Sequence, residues 1–182
     1  MQEFVTYEIT REQKNEGKWI LARVALITFY ILFVVAVLIA GFITRIFWPL
    51  LAFIPISLWL LIFITWRYVC VEYEYSATSG TLTYCKIFGN KSRKRILDIS
   101  LKSAVRIAPL SKEMHRNFAE QYHPEREFYA VSSAHSENVW FILFELGAKS
   151  NKDKRRAIFY FEPDEKMLRI CRYYNPSSTY FN

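Results

Sequence analysis

Residues 24–66 form the most apolar stretch of the chain and read VALITFYILFVVAVLIAGFITRIFWPLLAFIPISLWLLIFITW. Arg45 alone interrupts the stretch, so residues 24–43 and residues 46–66 each form an uncharged run. A helix of roughly 20 apolar residues crosses a hydrocarbon core about 30 Å thick, and each run is long enough. The rest of the chain is too short and too polar to enclose two helices that are apolar on all sides. The sequence therefore predicts a transmembrane hairpin with a tight turn at Thr44 and Arg45.

The charges that flank this hairpin predict its orientation. Lys14, Lys18 and Arg23 lie at the start of the first helix. Arg67 follows the second helix, whereas the turn between the helices holds only Arg45. Because positively charged residues accumulate on the cytoplasmic side of membrane helices, both termini are expected in the cytoplasm. The sequence thus predicts a multi-pass protein of the plasma membrane with two spans.

Composition narrows the class of protein further. The chain has 182 residues, a formal net charge of +7 and three cysteines. Together with the apolar runs, these values exclude a purely soluble protein, a large multispan transporter, a disordered chain and a disulfide-stapled secreted domain. Cys70, Cys85 and Cys171 form no CxxC pair. They are therefore expected to be free thiols in a reducing compartment.

After residue 67 the apolar period changes from helical to alternating. Val69, Val71, Tyr73 and Tyr75 alternate with more polar residues, which is typical of a half-buried strand. Further runs of the same kind are separated by turn residues, and the polar segment 110–126 is interpreted as a long loop with one short helical turn. The predicted strands are residues 69–76, 81–88, 93–99, 104–108, 127–133, 138–146 and 155–162.

A C-terminal helix is predicted to start at Pro163. Asp164 and Glu165 place negative charge in its first turn, which favours a helix start. Its apolar face consists of Met167, Leu168, Cys171 and Tyr174, and Pro176 ends it. Seven antiparallel strands capped by one C-terminal helix follow the pleckstrin-homology (PH)-like plan. The predicted fold is therefore a membrane-anchored all-β protein: a two-helix transmembrane hairpin, then a seven-stranded PH-like barrel or split sheet with a capping helix.

The chain also resembles a known family. Motifs along nearly its whole length are similar to an uncharacterised family of small two-span membrane proteins from Gram-positive anaerobes, with a bacterial PH-like cytoplasmic domain. The similar motifs are VEYEY at 71–75, GTL at 80–82, KIFGNKSRKR at 86–95, AP at 108–109, FEP at 161–163, ML at 167–168 and NP at 175–176. The apolar runs, their flanking charges and the change of period after residue 67 predict three parts: a cytoplasmic segment (1–18), a transmembrane hairpin (19–66) and a cytoplasmic PH-like domain (67–182).

No catalytic pattern stands out in the sequence. His115, His123 and His135 show neither an HxH nor an HExxH spacing, so no metal site is predicted. The five glycines form no phosphate-binding loop, and no nucleophile elbow occurs. Glu72 and Glu74 share one face of a strand, where alternation predicts a solvated surface. We therefore expect no enzyme activity, no catalytic residue and no cofactor.

The remaining signal is positive charge. Residues 67–182 hold 19 Lys and Arg against 13 Asp and Glu. Two clusters carry much of this excess, one in the hairpin that follows the second strand and one before the last strand. Next to an anionic membrane surface, each basic residue adds about 1 kcal/mol of attraction. The candidate lipid- or partner-binding residues are Arg67, Lys91, Arg93, Lys94, Arg95, Lys154, Arg155 and Arg156.

Several functions fit this organisation. The leading expectation is a non-enzymatic binding or scaffold module held at the cytoplasmic face of the membrane, with a protein partner. One alternative is recognition of anionic lipid headgroups by the basic hairpins. Another is a subunit of an oligomeric transport or pore assembly, since Ala36 and Ala40 have a spacing that permits close helix packing. The same spacing equally fits packing between the two helices of one hairpin. Nucleic acid is not expected as a partner, because the basic clusters lack a stacking aromatic platform.

Overall fold

The computed structural model describes residues 6–89, 92–133, 135–147 and 155–181. The chain divides into a helical unit (Lys14–Val71 with Phe88–Ser92) and a sheet unit (Met1–Gln13, Glu72–Ile87 and Arg93–Asn182). The elements of the described residues are, in chain order, β1 (Tyr7–Glu12), α1 (Lys18–Thr44), α2 (Phe47–Thr65), β2 (Val71–Thr78), β3 (Thr81–Phe88), β4 (Ser92–Ser100), β5 (Arg106–Pro109), α3 (Glu113–Gln121), β6 (Arg126–Ala130), β7 (Trp140–Leu146), β8 (Arg155–Phe161) and α4 (Glu165–Tyr174).

The helical unit contains the predicted helical pair. Both α1 and the second helical segment, residues 47–68, are long and apolar enough to cross a membrane. The chain reverses at Arg45, whose backbone adopts a left-handed conformation with φ 58°. In these fully described helices only Tyr30 and Gly41 are buried. The Tyr30 hydroxyl hydrogen-bonds the Thr65 hydroxyl and so links the two helices. A core helix of a soluble protein would instead be mostly buried.

The end of the β3 strand lies against the end of α2 within this helical unit. The Gly89 amide donates to the Cys70 carbonyl oxygen at 2.9 Å. A Cβ atom placed on Gly89 would lie 2.7 Å from the Arg67 Cβ and 3.0 Å from its Cα. Because Gly89 also has φ 56°, both space and backbone conformation require glycine here. The turn that follows β3 therefore starts directly beside Arg67.

The first sheet has the strand order β1-β2-β3-β4. Its β1 strand pairs antiparallel with β2, from Tyr7 opposite Ala77 to Glu12 opposite Glu72. The sequence predicts seven strands, all of which are present, and β1 is an eighth among the described residues. Its alternation of half-buried and exposed side chains is the usual strand signal, but it lies ahead of the apolar helices rather than within the predicted domain. The helical hairpin is consequently inserted between two paired neighbours of one sheet.

The second sheet has the order β5-β7-β8-β6. Strands β5 and β8 pair antiparallel with β7, whereas β6 pairs with β8 in parallel. The expectation of an entirely antiparallel arrangement is therefore wrong at β6. The reason is topological: β6 and β8 both run opposite to β7, and β6 occupies the edge beyond β8. A second difference concerns the predicted 110–126 loop, which contains the nine-residue helix α3.

Aromatic rings fill the space between the two sheets. Tyr75 and Tyr84 of the first sheet contact Phe159 of the second, with ring centroids 6.2 Å and 5.1 Å apart. Phe161 extends this cluster and is fully buried. The Tyr75 hydroxyl donates to the Ala130 carbonyl oxygen, which gives its buried polar end a partner. This core fixes the position of β6 through its neighbour β8.

Helix α4 is the predicted C-terminal helix. Its first turn is capped by Asp164, which accepts a hydrogen bond from the Met167 amide at 2.8 Å and another from the Tyr7 hydroxyl. Met167 is fully buried. At the other end, the Tyr174 ring packs so closely on Gly80 that a Cβ there would lie 2.8 Å away. The helix is thus held both by its own apolar face and by the ends of the first sheet.

Candidate binding cleft

Helix α3 packs on the face of the second sheet that points away from the core. Ala119 of α3 lies in a buried cluster with Phe141 of β7 and Ile158 of β8. Tyr160 of β8 packs at the border of this cluster. Side chains on the neighbouring β6 strand that share this face are Glu127, opposite Ile158, and Tyr129, opposite Tyr160. The β6 end of the face is therefore open beside α3.

An open cleft of about 1420 Å³ occupies this position. One wall is α3, the floor is formed by the outward-facing side chains of β6 and β8, and the far side is the connection between β6 and β7. Both apolar and charged side chains line it, including Ala119, Val131 and Val139 among the apolar ones. All of its lining residues belong to the sheet unit. The cleft is large enough for several side chains of a partner.

Two stacked tyrosines form the floor of the cleft. The rings of Tyr129 and Tyr160 lie 4.9 Å apart with an angle of 13° between their planes. Tyr129 is 59% exposed, and its hydroxyl donates to the Glu127 carboxylate. This hydrogen bond, together with burial and the nearby charge of Glu127, raises the pKa of Tyr129 to about 12. The phenol therefore stays protonated, and the exposed ring face is neutral and electron-rich.

The charged side chains of the cleft are mainly acidic. Glu120, Glu127 and Glu137 line it, and all three are exposed. Among its described basic residues, Arg116 already forms an ion pair with Glu120, with 3.6 Å between Nε and Oε1. Burial, together with the charges of Glu127 and Glu120, raises the pKa of Tyr160 on the floor. Among the described lining residues, carboxylates therefore outnumber arginines, although the whole chain is basic.

The predicted basic residues on β4 are exposed, but two of them have carboxylate partners. Arg93 pairs with Glu74 and lies 3.9 Å from Glu8. Arg95 pairs with Asp98 at 2.6 Å. Glu74 is only 7% exposed, so the expectation of a solvated Glu74 is wrong. Arg93 pairs with this carboxylate and compensates its charge.

The other predicted basic residues lie in different places. Arg67 donates to the Tyr68 hydroxyl at 2.9 Å in the helical unit. Arg155 is exposed at the start of β8, and Arg156 donates to the Tyr122 carbonyl oxygen at 3.0 Å. Lys94 is exposed on β4, and Lys91 and Lys154 lie outside the described residues. The described candidates therefore fall on three separate elements: the end of α2, β4 of the first sheet and β8 of the second.

The comparison with known families agrees with this architecture. Residues 4–181 match the family described as bacterial PH-like domain (DUF6106). The chain belongs to this family. No curated protein and no solved structure matches it. The predicted resemblance to a bacterial PH-like family is thereby confirmed, whereas the origin in Gram-positive anaerobes stays a prediction.

The cleft of this PH-like domain is not predicted by the sequence, because the pattern of segment 110–126 predicts a long loop with only one short helical turn. A helical signal is nevertheless present: His115, Ala119 and Tyr122 recur at the spacing of one helix face. His115 is fully buried beside the Tyr180 ring, and burial with nearby Arg106 and Lys112 lowers its pKa. It is therefore a neutral core residue.

Metal binding gains no support from the described part of the chain. No group of three or more His, Cys, Asp or Glu side chains there lies close enough together to hold an ion. Cys85 and Cys171 are buried and free, and Cys70 is half-buried and free. Burial raises the pKa of Cys171 to about 12, so this thiol is unreactive. These cysteines are components of the packing.

The ion pair between buried Glu74 and half-exposed Arg93 provides a pH-dependent test of the first sheet. Burial raises the pKa of Glu74 and the Arg93 charge opposes this rise. Replacing Arg93 by Gln removes that opposition, so the carboxylate is left poorly compensated when ionised. We expect Arg93→Gln to lower the free energy of unfolding by about 1–3 kcal/mol near neutral pH. Denaturant titration of the detergent-solubilised chain measures this loss.

The sign of the pH dependence follows from the raised pKa. A carboxyl group that is harder to ionise in the folded state costs stability above its pKa, and this cost disappears on protonation as the pH falls. The Arg93→Gln loss should therefore shrink between about pH 7 and about pH 5. Arg95→Gln is the matched control, because its partner Asp98 is largely exposed. Equal losses for both variants at both pH values would contradict a buried, charge-compensated Glu74.

Proposed function

We propose that this chain is a non-enzymatic binding module that holds a protein partner at the cytoplasmic face of the membrane. The observation that supports binding is the open cleft between α3 and β6, with its exposed tyrosine and acidic side chains. PH-like domains belong to a fold family of binding and scaffold modules, and the family match covers nearly the whole chain. The cleft is the surface at which we place the partner.

Anchoring in the membrane is supported by the exposure of the two apolar helices. Large side chains such as Phe42, Trp48 and Ile56 are each more than two-thirds exposed. A surface of this size and composition is stable in a lipid environment and would aggregate in water. The pairing of β1 with β2 adds a topological argument, since it brings the two ends of the hairpin to one sheet. The hairpin then crosses the membrane an even number of times, and the positive-inside rule assigns the sheet unit to the cytoplasm.

A second candidate function is contact with anionic lipid. The observation that favours it is the position of Gly89, whose backbone lies against Arg67 at the end of α2. The turn that carries the basic motif of β4 therefore begins near the expected membrane surface. The carboxylate partners of Arg93 and Arg95 reduce the charge available to lipid. Charge of this kind adds to anchoring within a Debye length of about 8 Å, and we rank it below partner binding.

Site-specific photocrosslinking tests the proposed cleft. A photoreactive amino acid is placed at Tyr129 or, as a matched control, at Tyr173 on α4. The two tyrosines are similarly exposed, at 59% and 62%, and Tyr173 does not line the cleft. Irradiation of native membranes should give a discrete protein adduct from position 129 at several-fold higher yield than from position 173. Equal yields, or no adduct at position 129, would contradict a partner in the cleft.

A further inference from the structure

The β6 strand offers an unpaired sheet edge at the cleft. It is the last strand in the order β5-β7-β8-β6, and among the described residues no strand pairs with its outer side, although the carbonyl oxygens of Tyr129 and Ala130 accept hydrogen bonds from the Tyr84 and Tyr75 hydroxyls. Backbone groups of an edge strand that point away from the sheet can pair with an added extended segment. Glu127 and Tyr129 of this same strand line the cleft. A segment bound there could therefore use backbone pairing and side-chain contacts together.

The tyrosine floor determines which side chains would fit. An exposed aromatic face attracts a cation placed over it, and a tyrosine is a good platform because its ring is electron-rich. Tyr129 presents such a face, and its stacking on Tyr160 fixes the ring orientation. The Glu127 carboxylate next to the Tyr129 hydroxyl adds negative charge at the edge of the platform. Together these groups favour the guanidinium of arginine or the ammonium of lysine.

The charges that line the cleft disfavour an anionic ligand. Among the described lining residues, three carboxylates face one arginine, Arg116, which already pairs with Glu120, and His123 lines the cleft as well. The three carboxylates are those of Glu120, Glu127 and Glu137. A phosphate, a lipid headgroup or an acidic peptide would be repelled at this position. A basic segment would be attracted, even though the chain as a whole has a net charge of +7. The acidic lining of the cleft favours a basic partner, whereas the net positive charge of the chain favours an acidic one. The lining has the larger effect, because its charges lie at contact distance from a bound segment.

We propose that the cleft binds an extended, basic segment of a partner protein, with an Arg or Lys side chain over Tyr129 and its charge near Glu127 and Glu137. This inference rests on the proposed function and specifies the chemistry of the partner. The segment runs along the β6 edge, so alternate side chains point into the cleft. Specificity comes from the cation over the tyrosine, and much of the affinity comes from the strand edge.

A peptide titration tests the chemistry directly. The full chain is reconstituted in nanodiscs of zwitterionic lipid, which removes attraction to anionic lipid. The probe is a fluorescein-labelled nine-residue peptide of alternating Thr and Arg, and the control probe replaces each Arg by Glu. Fluorescence anisotropy should show saturable binding of the Arg peptide at low salt, weaker binding at physiological salt, and no binding of the Glu peptide in the cleft.

Variants of the cleft separate specific binding from general attraction. Tyr129→Ala should weaken binding of the Arg peptide roughly five-fold, whereas Tyr129→Phe should keep most of it because the ring face remains. The double variant Glu127→Gln with Glu137→Gln should weaken it by roughly five- to ten-fold at low salt. Glu165→Gln is the matched control, because this exposed carboxylate lies on α4 outside the cleft. It should leave the dissociation constant unchanged within about two-fold.

The outcomes distinguish this inference from the function on which it rests. Absence of Arg-peptide binding, or equal binding to every variant, overturns the basic-segment inference. If the crosslinked adduct at position 129 is still obtained in that case, the cleft binds a partner of different chemistry and the proposed function stands. An adduct with the mass of two copies of this chain would overturn the assignment to a separate partner protein. Failure of both the titration and the crosslinking overturns both proposals.

Discussion

Met167→Ala should lower the free energy of unfolding of the protein by about 2–5 kcal/mol, the range for truncating a fully buried large side chain. Met167 has no exposed surface, and it lies in the first turn of α4, beside the Asp164 cap that also binds Tyr7. Its removal leaves a cavity at the point where the C-terminal helix and the first strand are held together. Denaturant titration of the full chain in detergent micelles, followed by the circular dichroism of the sheets, measures the loss.

Arg169→Ala is the control on the same helix. The Arg169 side chain is 80% exposed and forms a solvent-exposed ion pair with Glu165 at 3.5 Å. Exposed pairs of this kind contribute little, and alanine is a strong helix former. We expect a change of less than about 0.5 kcal/mol. A similar loss for both variants would contradict a specific contribution from the burial of Met167, and with it the assignment of α4 as a cap on the core.

Much of the fold could be predicted from the sequence, because its strongest patterns are local. The apolar runs predict the helical pair, and the alternation around Tyr73 and Tyr75 predicts the first strand after it. Asp164 indicated the start of α4 through its capping chemistry. These features depend on residues close together in the chain. Each therefore leaves a periodic or positional signal that a single sequence displays.

The features that were not predicted depend on residues far apart in the chain. Strand β1 gains its place by pairing with β2 across the whole helical hairpin, and six residues carry too weak a pattern to be predicted alone. The parallel position of β6 depends on where β8 lies in the sheet. The alternation of residues predicts a solvated Glu74, because it gives no sign of Arg93, which pairs with Glu74 from another strand. All three features therefore depend on tertiary contacts.

In the candidate site too, local features could be predicted from the sequence and features that depend on tertiary contacts could not. Basic clusters are visible as runs of residues, so the sequence points to them, although the structure shows that two of the arginines have carboxylate partners. The cleft brings together α3, β6 and the connection before β7, and each contributes only a few lining residues. Glu120, Glu127 and Glu137 are seven and ten residues apart along the chain. They line one cleft only after α3 has packed on the second sheet.

The orientation of the hairpin has an all-or-none expected result. Because β1 and β2 flank the hairpin and pair with each other, we expect the residues just before α1 and just after α2 on the same side of the membrane. The turn is then expected on the other side, and the excess of Lys and Arg next to the hairpin predicts a cytoplasmic sheet unit. Thr44 is exposed in this turn and has helical geometry, whereas neighbouring Arg45 has a left-handed backbone that other residues adopt at a cost.

Thr44→Cys should therefore react with a membrane-impermeant maleimide added outside intact cells. Native Cys70 is half-buried on the opposite side of the hairpin, so it is an internal control that should react only after permeabilisation. Cys85 and Cys171 are buried and should contribute little in either case. Labelling of the wild-type chain before permeabilisation, with no gain from Thr44→Cys, would reverse the topology. It would also place the acidic cleft outside the cell, where a cytoplasmic partner could not reach it, so this one experiment bears on the proposed partner as well as on the fold.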